Sequence, residues 1–99
     1  MLVNKYVDGN TIENLYDSSN IIASKYDLST KKLAIIFKNG FQYLYYDVKE
    51  NDYLVFEGSE SQGKVLNSHI KNYKFEKVGS PIDVSPIIEQ INIIKNNIS

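Results

Sequence analysis

Two polar stretches of this chain carry residue types from which a binding site can be built. In SESQGKVLNSHIK, residues 59–71, Ser59 and Ser61 supply hydroxyls, Gly63 permits close backbone approach, and Lys64 and Lys71 supply positive charge. A helix starting there would present unpaired backbone N–H groups and a partial positive charge, which suits a phosphate. Ser59 and Gln62 also have capping-box spacing, with Ser61 as an alternative cap, so the same residues read equally well as a plain helix start. The second stretch, Ser18-Ser19-Asn20, reads either as part of a ligand site or as a turn whose side chains cap the strand that follows. Tyrosines offer nearby faces on which a base can stack.

Catalytic chemistry finds little material. The chain has one histidine, no cysteine and no pair of carboxylates at suggestive spacing. Val65, Leu66, His69 and Ile70 share a helical stripe, which makes His69 a packed histidine rather than a general base. A lone histidine forms no metal-ligand cluster, and thiolate zinc sites and disulfides are excluded by composition. The expectation is a non-enzymatic protein without a cofactor.

All eleven basic residues are lysines, and the net charge is −1. Without arginine there is no rigid fork for guanine edges or phosphates, so tight duplex binding is not expected. Charge is nonetheless uneven. Residues 47–60 hold five acids against Lys49, a local −4; residues 61–78 hold four lysines against Glu76, a local +3. These are either solvated faces or two patches used for an anion or a protein partner. No apolar run approaches the roughly 20 residues that span a bilayer, and the first residues lack the basic-then-apolar order of a signal peptide. A cytoplasmic protein with no membrane contact is expected.

The elements that must position these residues follow from pattern. Residues 20–26 read as a strand and 27–30 as a turn. KKLAIIFKNGFQYLYYDV reads as a hairpin around Asn39-Gly40. A two-residue loop would put Leu33, Ile35 and Phe37 opposite in face to Tyr43 and Tyr45. A three-residue loop, Lys38-Asn39-Gly40, with Gly40 left-handed, pairs Phe37 with Phe41 and gathers all these residues with Phe41 on one face, so it is preferred. The other face, with Ala34, Ile36, Gln42, Leu44 and Tyr46, is apolar enough to need a cover. A short helix is expected over 48–57, with Asp47 and Glu50 at capping-box spacing and Tyr53 and Phe56 inward. Residues 73–78 alternate as a last strand. A linker, 79–86, leads to a helix started by Ser85-Pro86. Its stripe of Ile87, Ile91, Ile94 and Ile98 must be buried, either on the chain's own sheet or as an interface with a second copy.

The ordered blocks resemble the KTSC domain, a small module first noted at the C-terminus of lysyl-tRNA synthetases that also stands alone in bacteria and phages. The matching positions are Ser18, Ser19, Asn20, Ile21, Tyr26 and Asp27; Leu33, Ile35, Phe37, Gly40, Tyr43 and Tyr45; then Ser61, Gly63, Asn67, Ile70 and Tyr73. The sequence departs from the family pattern at Ser59, at Val65-Leu66 and at Lys71, where the family often has alanine, an aromatic pair and arginine. The synthetase context suggests nucleic acid, and Asn67, Tyr43 and Tyr45, all at matching positions, complete the candidate ligand residues.

Together these readings give an α+β fold: a small antiparallel sheet of three or four strands, two short helices on one face and an appended C-terminal helix. Residues 1–17 would be an N-terminal extension, 18–78 the KTSC-like domain, and 79–99 the linker and final helix. The expected function is binding of a nucleotide or RNA phosphate. The alternative is a protein–protein module, such as a phage-encoded inhibitor or adaptor with a host or phage partner, acting as a homo-oligomer.

Overall fold

The computed structural model describes residues 1–98, with side-chain surroundings for residues 1–97. Its centre is one antiparallel sheet of six strands, two or three more than expected: β1 (Leu2–Asp8), β2 (Thr11–Tyr16), β3 (Ile21–Asp27), β4 (Lys32–Phe37), β5 (Gln42–Tyr45) and β6 (Phe75–Val78). The strands lie in chain order, so each pairs with its sequence neighbour. Residues 1–17 supply the two unforeseen strands. They turn at Gly9-Asn10, where Asp8 pairs with Thr11 and Gly9 takes φ +58°, the conformation a two-residue hairpin loop demands of its first residue.

The β4–β5 hairpin has the three-residue loop. The Phe37 N–H donates to the Phe41 carbonyl at 2.9 Å, the Gly40 N–H donates to the Phe37 carbonyl at 2.9 Å, and Gly40 has φ +93°. Leu33 then pairs with Tyr45 and Ile35 with Tyr43, and all four face the same way. Gly40 is also fixed by its neighbour. A Cβ there would run into the Ile82 carbonyl, and Ile82 N–H donates to the Gly40 carbonyl at 3.0 Å.

On the front of the sheet lie α1 (Glu50–Gly58), the one-turn α2 (Gln62–Val65) and a π-helical turn, Leu66–Ile70. Helix α1 starts two residues later than expected. Asp47 does not cap it; that residue takes φ +53°, and the N-cap position falls to Lys49 with no side-chain cap bond. Tyr53 and Phe56 do face inward. Tyr53 stacks on Tyr26 with centroids 4.2 Å apart, and Phe56 meets Tyr16 edge to face at 5.5 Å. With Ile12, Ile21, Leu33, Ile35, Val48, Val65 and Ile70 they form the main core.

The back of the sheet is covered in part by α3 (Ser85–Ile98). Ile91 is buried, and Ile87 and Ile88 pack with it against Ile22, Ala23, Leu15 and Ile36. Of the residues expected at an interface between copies, Ile87 and Ile91 are therefore engaged on the chain's own sheet, because a marginal amphipathic helix buries its stripe on the nearest apolar surface. Ile94 is half-buried, and the side chain of Ile98 lies outside the described residues. The Lys95 ammonium pairs with the Asp17 carboxylate at 3.1 Å and ties α3 to the loop after β2.

Candidate functional site: an aromatic cleft on the sheet

At the helix start the side chains of Ser59 and Gln62 are bonded within the chain, while Ser61, at the N-cap, makes no side-chain cap bond. Ser59 Oγ accepts from the Ser61 N–H at 3.0 Å and donates to the Ser61 carbonyl at 3.0 Å. The Gln62 side chain is fully buried. Its amide donates back to the carbonyls of Ser59 at 2.8 Å and Phe56 at 3.3 Å, and its Oε1 accepts from the Met1 amino group. Ser59 and Gln62 thus use their capping-box spacing, but Gln62 reaches the carbonyl of Ser59 instead of its N–H. The α-helical segment is four residues long before it widens, and so short a run sums to a small dipole. A Cβ at Gly63 would meet nothing within 4 Å, so no tight backbone approach explains that glycine.

Widening of the next turn explains a second difference. The Lys71 N–H donates to the Leu66 carbonyl at 2.8 Å, five residues back. The extra residue per turn takes His69 off the apolar stripe. His69 is exposed, with its Nδ1 2.7 Å from Ser68 Oγ, while Val65 and Ile70 stay buried. Lys64, Asn67 and Lys71 are exposed and do not line a cavity with the predicted tyrosines.

Those tyrosines do come together with other rings. On the front face, beyond the reach of α1, strands β4 to β6 and the hairpin loop carry Phe37, Phe41, Tyr43, Tyr45 and Phe75. Tyr43 meets Phe37 at 5.4 Å, edge to face, and stacks on Phe75 at 5.7 Å; Phe75 also lies 5.4 Å from Tyr45. Cross-strand pairing produces this arrangement, because Tyr45 is opposite Phe75 and Tyr43 opposite Lys77. The Lys77 ammonium lies 3.5 Å from the Phe41 ring centroid. Phe37, Phe41, Tyr43 and Tyr45, with Asn39 and Leu66 of the π turn, line a shallow cleft of about 250 Å³, and Phe75 and Lys77 stand beside it on β6. Tyr45 forms its buried floor and burial pushes its hydroxyl pKa up, whereas Tyr43 is half-buried and Phe75 is 50% exposed.

One end of the cleft continues into a second hollow lined by Asn20, Phe37, Lys38 and Asn39. This places the end of the Ser18-Ser19-Asn20 stretch beside the aromatic site. The Lys38 N–H donates to the Asn20 carbonyl at 2.7 Å and joins the loop after β2 to the β4–β5 loop. Asn39 Oδ1 accepts from the Phe41 N–H at 3.0 Å, which leaves its NH₂ end as a donor for a ligand. Ser18 is half-buried and Ser19 exposed; neither lines the hollow. Sequence reasoning missed Phe75 and Lys77 as site residues, although the alternation in YKFEKV places both on one face of an edge strand.

A contrasting polar cluster is sealed beneath α1. Buried Asn14 donates from Nδ2 to Glu57 Oε1 at 2.9 Å and lies 2.9 Å from Tyr53 Oη and 3.1 Å from Tyr16 Oη. Tyr53 donates to Glu57 Oε1 at 2.8 Å, and the Lys5 ammonium donates to Oε2 at 3.1 Å. Burial alone would raise the Glu57 pKa, but bonds from Asn14, Tyr53 and Lys5 hold it below the ordinary carboxylate value. Burial pushes the Tyr16 hydroxyl up to about 12. Among the described residues, no group of three His, Cys, Asp or Glu side chains is placed to hold a metal ion.

Residues 17–75 match the model of the KTSC domain. The chain belongs to the KTSC domain family. Among solved structures, the KTSC fold seen here is similar to the crystal structure of a KTSC domain protein from Yersinia pestis. That similarity has 27% sequence identity and a TM-score of 0.66, and covers 70% of this chain and 99% of that one. Curated protein sequences yield no match. The family match spans β3 to the start of β6, so the aromatic cleft is built almost wholly from the domain itself, while Lys77 and α3 lie beyond it. No helix among the described residues is long and apolar enough to cross a membrane.

Proposed function

We propose that this KTSC domain is a non-enzymatic binding module for a phosphate-bearing ligand with a flat base, a nucleotide or RNA, taken at the cleft on β4 to β6. The observation that carries the reading is a set of half-exposed rings with an ammonium group 3.5 Å from one of them. Ring faces that are not covered attract planar bases, and a lysine beside them answers a phosphate. The reading shifts the ligand from the helix start, where the side chains of Ser59 and Gln62 are bonded within the chain, to Tyr43 and its neighbours. Ser18, Ser19, Lys64, Asn67 and Lys71 line neither the cleft nor the hollow beside it. A cytoplasmic setting, where such ligands abound, suits this role.

The test is a titration of the intact chain with UMP and with short RNA, followed by tyrosine fluorescence. Saturable quenching that Phe41→Ala and Lys77→Glu each weaken about five-fold or more is expected. Absence of saturable binding to both ligands at millimolar concentration would refute the proposal. No observation gives equal weight to the homo-oligomer alternative, since Ile87 and Ile91 are used within the chain.

A further inference from the structure

The cleft does not have the form of a pocket for one small molecule. Its volume, about 250 Å³, falls below the roughly 300–1,000 Å³ of sites that enclose most of a ligand. It is instead one part of a longer platform. Phe37 on β4, Tyr43 on β5 and Phe75 on β6 follow one another across three strands, with neighbouring ring centroids 5.4 and 5.7 Å apart. Cations stand at both ends: Lys38 beside the hollow at the hairpin loop and Lys77 on the edge strand. Among the described residues, no carboxylate lines the cleft or the adjoining hollow at the hairpin loop, and the acids nearest the platform are Asp47 and Glu76, which line a separate hollow at Phe75 with Lys74. The nearest acid on β6, Glu76, points to the back of the sheet and bonds Tyr46.

Building on the proposed function, we infer that the ligand is a single-stranded nucleic acid lying across strands β4 to β6. Bases rest against the ring surfaces that Phe37, Tyr43 and Phe75 leave open to solvent, and phosphates meet Lys38 and Lys77. Three properties follow from the chemistry of the surface. Affinity grows with length, because each stacked base adds roughly five-fold or more. Sequence preference is weak, because stacking dominates and the chain has no arginine to read base edges in a fork. Duplex is rejected, because paired bases cannot present their faces to the rings. The chain's net charge of −1 limits the electrostatic share to these local lysines.

The experiment measures fluorescence anisotropy with labelled U6 and dT6, using UMP, dTMP, U3 and a long, G·C-rich duplex as competitors, on the intact chain. Phe75→Ala and Lys77→Glu are the test variants. Lys25→Ala, on the back face, is the control, and thermal melting shows that each variant is folded. The expected result is that U6 or dT6 binds at least about ten-fold tighter than its mononucleotide. The tighter of the two identifies the natural backbone. Both test variants weaken binding about five-fold or more, the control does not, and log K falls with log salt at a slope of about −1.4 for two phosphate contacts. UMP competing as well as U6 overturns the extended strand but leaves the base-binding site standing. Duplex competing better than U6 also overturns it. Failure of every oligonucleotide and mononucleotide to bind removes both readings. The inference also falls if sedimentation shows a dimer that Phe75→Ala dissolves, since the rings then serve a second copy of the chain.

Discussion

The front of the sheet places the same residue chemistry in two settings. Over β2, β3 and part of β4, helix α1 closes down, and Tyr16, Tyr26, Tyr53 and Phe56 become core with at most 1% of their surface exposed. Over β5 and β6 no helix closes in the same way, and Tyr43 and Phe75 remain partly open. Polar atoms differ in parallel. Under α1, hydroxyls and amides bond one another and Glu57; beside the open rings stand lysines with solvent around them. Aromatic content therefore does not distinguish core from binding surface in this chain. What distinguishes them is whether a helix follows the strand closely enough to seal it, and α1 does so only where Tyr53 and Phe56 can reach the sheet.

The contrast predicts opposite responses to truncation. Phe56→Ala, in the sealed half, should destabilise the fold by about 3–5 kcal/mol, read as the shift in a urea melt. A cost below about 1 kcal/mol would mean that α1 is not the lid described here. Glu57→Ala should cost about 2–3 kcal/mol, because it strips the charged acceptor from Asn14, Tyr53 and Lys5. Since the folded pKa of Glu57 is lowered, its contribution is complete above the ordinary carboxylate pKa of 4.5 and is lost as pH falls through the lower folded value. Wild type should thus lose stability in that acid window and the variant should lose less, which melts from pH 6 down to pH 2 can check. Phe75→Ala, in the open half, should change stability by less than about 1 kcal/mol, as expected for a half-exposed side chain. If it instead melts like Phe56→Ala, Phe75 is core and the platform loses its third ring.

Much of this was legible in the sequence where one physical signal dominated. The β4–β5 register followed from the demand that Phe37 and Phe41 share a face, and Gly40 has the left-handed backbone that the three-residue loop requires. The C-terminal helix followed from Ser85-Pro86 and its isoleucine spacing. The β1–β2 hairpin was hidden for two reasons. A register shift between Leu2 and Asn4 breaks the alternation, and the inward residue between Ile12 and Tyr16 is the polar Asn14, which is buried only because Tyr53 and Glu57 bond it. Asp8-Gly9 was the available turn signal. His69 was misplaced because a π turn has no signature in helical periodicity. Of the residues at the candidate cleft, Tyr43 and Tyr45 were singled out in the sequence, while placing Phe75 and Lys77 beside them required knowledge of which strand pairs with β5. Asn20 was singled out too, and its neighbours Lys38 and Asn39 became visible only when the two loops met.

The uninterrupted strand order has a kinetic consequence. Each new strand finds its partner immediately behind it in the chain, so pairing needs no long loop to close, apart from the segment that carries α1 and the π turn ahead of β6. Pairing of strands that are neighbours in the chain is the fast part of folding, whereas packing α1 and α3 onto β1 to β3 closes much longer loops. The strand that must wait for the longest loop between paired strands to close is also the one that bears Phe75 and Lys77, so completing the ring platform depends on that closure.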